Sequence, residues 1–129
     1  MIRYLNTDLD LVSVHDLTQF AAALETRGLL TLHVGRREDS LYLATFETNA
    51  SHASPEDTLD SMLGIIEAFT QPERDVWDGA KECIFNIGYD CGSEPWAFKS
   101  TLSNSVLRRL ARAGGALRIT LYPEADRVG

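Results

Sequence analysis

Oxygen-bearing side chains alternate near the start of the chain, at Asn6, Asp8 and Asp10. On a β-strand, side chains two positions apart point to the same face, so these groups would lie side by side. Such groups can bind a hard cation. The run lacks the glycine and the distal glutamate of an EF-hand loop. We therefore favour a solvated strand face, with a cation site that includes a histidine as the alternative.

The remaining metal-binding and nucleophilic residues form no motif. The histidines lie far apart in the sequence, without ligand spacing, at His15, His33 and His52. Cys91 begins a stretch similar to the start of a papain-type motif, but Glu94 stands where that motif needs a cysteine, and no histidine follows. We predict no metal, no cofactor and no catalytic residue.

Two charged surfaces are candidates for binding a partner. Arg108 and Arg112 lie one helical turn apart, and Arg118 follows on the next strand; together they could bind a phosphate, a carboxylate or an acidic partner. An exposed basic face near a helix C-terminus is the alternative. The second candidate is an acidic surface that includes an aromatic anchor, formed by Glu56, Asp57, Asp60 and Trp77. Ordinary solubility explains the same acids.

Net charge and composition narrow the functional classes. The chain has 129 residues and a net charge of −7, which argues against nucleic-acid binding. Residues 99–129 nevertheless carry six basic and two acidic side chains, an asymmetry that can steer a partner or be neutralised within the domain. No apolar signal segment precedes Asp8, and no stretch is long enough to span a membrane. We predict a soluble, cytoplasmic protein in which Cys83 and Cys91 are free thiols.

Capping residues and apolar spacing predict three helices. Their N-termini are assigned to polar capping residues, namely Ser13 or Asp16, Ser54, and Ser103. Gly28 and Gly114 supply the stops of the first and third helices, and Pro72 helps to end the second. Residues 71–79 are predicted to form a loop with at most one short turn.

Alternating apolar residues predict the strands, which occupy part of residues 2–14, 30–34, 41–48, 83–89 and 117–121. The second and third strands should pair as a hairpin because the turn between them is short. The order β-α-β-β-α-β matches a ferredoxin-like core, to which a C-terminal α-β pair is added. We predict a single α+β domain over residues 1–129, with an antiparallel or mixed sheet and helices on one face.

Two functional hypotheses follow. The first is a non-enzymatic protein-interaction or regulatory domain that self-associates through a sheet face or edge, for example as a homodimer; one version is a small acidic protein that neutralises a basic partner. The alternative is a small-molecule-binding protein or enzyme with a pocket between the helices and the open sheet face. The candidate pocket residues are Tyr89, Cys91, Trp96 and Arg118.

Overall fold

The computed structural model describes residues 2–92 and 97–123, which form five strands and four helices. The strands are β1 (Arg3–Ser13), β2 (Leu29–Arg36), β3 (Tyr42–Thr48), β4 (Glu82–Asp90) and β5 (Ala116–Tyr122). The helices are α1 (Thr18–Glu25), α2 (Pro55–Glu67), α3 (Gln71–Asp78) and α4 (Asn104–Arg112). The prediction of a mixed α+β fold is confirmed. Within the described ranges, every helix is too short or too polar to cross a bilayer.

The strands form one mixed sheet in the order β2-β3-β1-β4-β5. The pairs β2–β3, β3–β1 and β1–β4 are antiparallel, and the predicted β2–β3 hairpin is confirmed. Strand β5 lies parallel to β4, because α4 carries the chain back across the sheet before β5 begins. This connection places β5 at one edge of the sheet, and β2 forms the other.

Alternation along the three inner strands puts the core on one face of the sheet. Leu9 and Leu11 of β1, Phe46 of β3 and Phe85 of β4 are fully buried in one cluster with the apolar sides of the helices. Their sequence neighbours point to the opposite face and are mostly polar. A strand buried on one face only reads as apolar-polar alternation, which is why the strands could be predicted.

Local capping explains where α2 and α4 begin. The hydroxyl of Ser54 accepts a hydrogen bond from the Asp57 amide, and Pro55 occupies the first turn of α2, as predicted. Ser103 accepts in the same way from the Val106 amide at the start of α4. In α1 the cap residue is Leu17, so neither predicted cap occupies that position.

Helix α3 was not predicted, and the assignment of residues 71–79 to a loop is wrong. The Thr70 hydroxyl and the Glu73 carboxylate form a reciprocal capping box at its start. Pro72 lies in the first turn of α3, where its missing amide hydrogen costs nothing. A proline two positions after a capping threonine marks the start of a new helix as readily as the end of the preceding one.

Candidate interaction surface and polar cavity

Strand β5 exposes an apolar row on the core side of the sheet. We call Leu117, Ile119 and Leu121 the β5 stripe; their exposed fractions are 38%, 60% and 61%. Phe85 and Ile87 pair with Leu117 and Ile119 in the neighbouring strand and are buried. Helix α4 directs Val106 and Leu110 into the core, so the helix layer covers β4 and leaves the β5 stripe open to solvent.

The two edges of the sheet differ in regularity. Strand β2 also exposes Leu30 and Leu32, but its pairing with β3 shifts register between Thr31 and His33. Such a bulge twists an edge and hinders the addition of another strand. The β4–β5 ladder runs through seven residue pairs without a shift, and Arg118 is the one charged residue of β5. Strand β5 is therefore the regular and less protected edge.

The face away from the core carries the polar run predicted from Asn6, Asp8 and Asp10. The Asn6 side-chain amide donates to Asp8 Oδ1 at 2.9 Å, and the Thr45 hydroxyl donates to Asp10 Oδ1 at 2.8 Å. Burial, the Asp10 carboxylate and the Glu47 carboxylate raise the pKa of Asp8 to about 6. In the described part of the chain, no group of three or more His, Cys, Asp and Glu side chains is arranged to hold a metal ion.

A polar cavity of about 220 Å³ lies where β1 and β3 diverge. The β1–β3 ladder ends at the pair Leu9 and Phe46, while β1 stays paired with β4 as far as Arg3. The wall contains residues of β1, the end of β3, the following loop and α2, and its polar members include Tyr4, Thr7, Glu47, His52 and Thr58.

Hydroxyl groups form a chain along one wall of this cavity. The Tyr4 hydroxyl lies 2.7 Å from Thr7 Oγ1 and 2.8 Å from Thr58 Oγ1, and Thr58 donates in turn to the Ser54 carbonyl. His52 Nε2 is buried and has no hydrogen-bond partner among the described residues. An unpaired buried nitrogen is costly, and the His52 side chain that carries it belongs to the wall of this cavity.

The predicted pocket residues are not brought together. Tyr89 is buried on the core face, where its hydroxyl donates to Ser100 Oγ at 2.9 Å. Arg118 pairs in register with Asn86 on the opposite face of the sheet. Cys91 is half-buried at the end of β4, and Trp96 lies outside the described residues. The sheet separates Tyr89 from Arg118, so these two side chains cannot line one pocket.

The thiols are free, as predicted. Burial, with a smaller contribution from the nearby Asp78 carboxylate, raises the pKa of Cys83 to about 12, so this side chain remains a protonated thiol at neutral pH. Cys83 is thus a small core residue.

Two of the three arginines of the predicted basic surface, Arg108 and Arg112, line a shallow groove on α4, whereas Arg118 lies on the face of the sheet away from the helices. Arg109 lies between Arg108 and Arg112 in the sequence and makes different contacts. Arg109 binds the Glu67 carboxylate through two nitrogens, at 2.9 and 2.8 Å, and also pairs with Asp60. These hydrogen bonds lower the pKa of Glu67. Arg109 therefore joins α4 to α2 and neutralises part of the charge asymmetry within the domain.

Of the residues predicted to form an acidic surface, two make contacts within the domain and one is buried in the core. Asp60 pairs with Arg109, and Glu56 Oε1 accepts a hydrogen bond from the Ser103 amide at 2.8 Å. Trp77 is only 2% exposed, and its indole nitrogen donates to the Ala113 carbonyl. Helix α3 turns this side chain inward, so the prediction that Trp77 faces a partner is wrong.

Comparisons with protein-family models, with curated proteins and with solved structures found no match to this chain.

Proposed function

We propose that this protein is a non-enzymatic interaction domain that binds a protein partner through β5, and that it acts in the cytoplasm. The observation that carries the proposal is the β5 stripe, which is exposed on a regular edge strand. Two free thiols fit a reducing compartment. An added strand would form main-chain hydrogen bonds with β5 and cover the stripe with alternate side chains.

We also propose that β1 to β4 form a ferredoxin-like unit to which α4 and β5 are added. The antiparallel order β4-β1-β3-β2 supports this proposal, because each of the crossovers through α1 and through α2 and α3 then spans one intervening strand, as in a split βαβ motif. In this arrangement the added β5 replaces β4 at the sheet edge. The extension thus creates the surface that we assign to binding.

Site-specific photo-crosslinking in the native cell tests the interaction function. A photoreactive residue replaces Ile119 in one variant and Leu32 in the matched control, since both side chains are exposed on edge strands. We expect a discrete protein adduct from position 119 and little from position 32. Equal or absent adducts at the two positions would contradict binding through β5.

A small-molecule-binding function is the second candidate, favoured by the polar cavity, whose wall includes His52 and the hydroxyl groups of Tyr4, Thr7 and Thr58. The volume suits a small polar molecule rather than a drug-sized one. Native mass spectrometry of the protein purified from its own cells provides the test. A bound mass that His52→Ala abolishes would support this function, and a ligand-free spectrum for the unmodified chain would count against it.

A further inference from the structure

We propose that the partner of β5 is a second copy of this chain. The two β5 strands pair antiparallel about a two-fold axis beside Ile119 and extend each five-stranded sheet into one continuous sheet. This inference rests on the proposed binding function of the β5 edge.

The apolar row has the symmetry that a two-fold axis requires. An isologous contact places the same surface of both copies together, so the contact must be complementary to itself. Leucines flank Ile119 two positions away on either side, at Leu117 and Leu121. Antiparallel pairing centred on Ile119 sets Ile119 against its own equivalent and each Leu117 against Leu121 of the second copy. All cross-strand neighbours in the row are then apolar.

The other side of β5 fits the same register. Arg118 lies on the polar face, and the pairing sets it against Thr120 of the second copy instead of against the equivalent Arg118. Like charges directly opposite each other destabilise a strand pair. A register centred on Arg118 would create such a pair at the axis, so the position of this charge favours the register centred on Ile119.

The helix layers also come together in this geometry. A two-fold axis perpendicular to the sheet keeps the core face of both copies on the same side. The two β5 stripes then form one apolar surface between the two α4 helices, each of which leaves Leu107 exposed on its surface. The same side chains are left half-exposed in one copy because no helix of the described chain covers them.

The available area matches a weak but specific dimer. Beside the stripe, the exposed large apolar residues on the same side of the sheet are Phe98 and Leu107, and Tyr122 is exposed on the polar side of β5. Together with the main chain of the edge, these side chains can remove roughly 500 Å² per copy from water, or about 1,000 Å² in total. That value lies at the lower limit for a biological interface, so we expect a dissociation constant of about 1–100 μM.

Sedimentation velocity over a concentration series tests the assembly. We expect a reversible dimer for the unmodified chain, at least ten-fold weaker association for Ile119→Lys, and unchanged association for the control Leu32→Lys on the other edge. Thermal unfolding of both variants verifies that they fold. A chain that remains monomeric up to about 1 mM would overturn the inference, since an interface of this area should associate there.

Disulfide trapping tests the register in a Cys91→Ser background, with oxidised glutathione as the oxidant. Cα atoms of directly opposed residues lie about 5 Å apart, within reach of a disulfide. Ile119→Cys should therefore cross-link to itself. Arg118→Cys alone should not, because its equivalent would lie about 8 Å away. A mixture of Arg118→Cys and Thr120→Cys should cross-link.

The outcomes separate the two proposals. A dimer that Ile119→Lys abolishes, but in which Ile119→Cys does not cross-link, would overturn this register and leave binding through β5 standing. An adduct of position 119 with a different protein, together with a monomeric chain, would overturn the second copy as partner. A dimer that Ile119→Lys does not weaken would overturn both the register and the assigned edge.

Discussion

The pKa values of two aspartates of this chain shift in opposite directions because their surroundings differ. Burial, with Asp10 and Glu47 nearby, raises the pKa of Asp8 to about 6. The Thr18 hydroxyl and the Thr18 amide both donate to Asp16, and these hydrogen bonds lower its pKa. The folded state therefore resists ionisation of Asp8 and favours ionisation of Asp16.

Asp8→Asn should stabilise the protein at neutral pH. The folded pKa of Asp8 lies above its ordinary value of 3.8, so the folded state binds the proton more tightly than the unfolded state. The ionised carboxylate thus costs stability above pH 6, and this cost disappears below about pH 4. After allowance for solvent screening, we expect a gain of about 1 kcal/mol at pH 8. Urea denaturation at pH 8 and at pH 4 measures it.

Asp16→Asn is the matched control for this experiment. Its folded pKa is lowered, so the ionised group contributes stability above the unfolded pKa that is lost as the pH falls through the folded pKa. The variant should be less stable than the parent chain at pH 8. A loss of stability for Asp8→Asn at pH 8 would contradict the assigned environment of Asp8.

For single residues, the sequence predicts which side chains share a face of one strand better than it predicts contacts between distant parts of the chain. The shared face of Asn6, Asp8 and Asp10 follows from a period of two residues and could be predicted. The pairing of Arg109 with Asp60 and Glu67 could not, because it joins helices more than 40 positions apart. Arg109 resembles its neighbouring arginines until the packing of α4 on α2 distinguishes it.

At the scale of elements, the chain turns from α4 into β5 in very little space. Gly114 has a φ of 79°, in the left-handed region that favours glycine. A Cβ atom on Gly115 would lie 2.5 Å from Phe85 Cε2, in the centre of the core. The close approach of this turn to Phe85 fixes how β5 starts beside β4.

Gly115→Ala should destabilise the protein, and Gly64→Ala should stabilise it. The first adds a methyl group against the buried Phe85 ring, for which we expect a loss of about 1–3 kcal/mol. Gly64 lies within α2, and a Cβ atom there meets no other atom within 4 Å. Its replacement should add about 0.5–1 kcal/mol through helix propensity. Chemical denaturation of both variants compares them, and equal effects would contradict the packing of the α4–β5 turn.

An element could be predicted where its capping residues and the spacing of its apolar residues indicate the same helix. In α3 the apolar spacing gives no such indication. Ser54 and Pro55 mark α2 because capping and the fixed φ of proline act within a few residues. In α3 the apolar face amounts to Val76 and Trp77, too few to show a helical period. Its indole donates to Ala113, 36 positions away, so the packing that holds α3 is not local.

The whole molecule determines which apolar strand is a core element and which is a surface. β4 and β5 both alternate apolar with polar residues, yet the core side of β4 is buried and that of β5 is exposed. The order of the strands in the sheet determines this difference in burial, and it cannot be predicted from the apolar pattern within β5 alone. That part of the sheet would stay open to solvent was therefore predictable, and which strand forms the exposed apolar edge was not.

Long-range charge should oppose the proposed dimer and make its strength depend on salt. Each copy carries a net charge of −7, and Arg118 of both copies lies near the axis, so ions that screen these repulsions should favour association. Screening shortens the range of such forces from roughly 30 Å at 0.01 M salt to about 8 Å at 0.15 M. Over this range we expect the dissociation constant to fall about two- to ten-fold, measured by sedimentation in sodium chloride. A contact held by ion pairs, for example through Arg108 and Arg112 of α4, would instead dissociate as salt rises. Weakening of the dimer by salt would therefore mean that ion pairs, and not the β5 stripe, hold the contact.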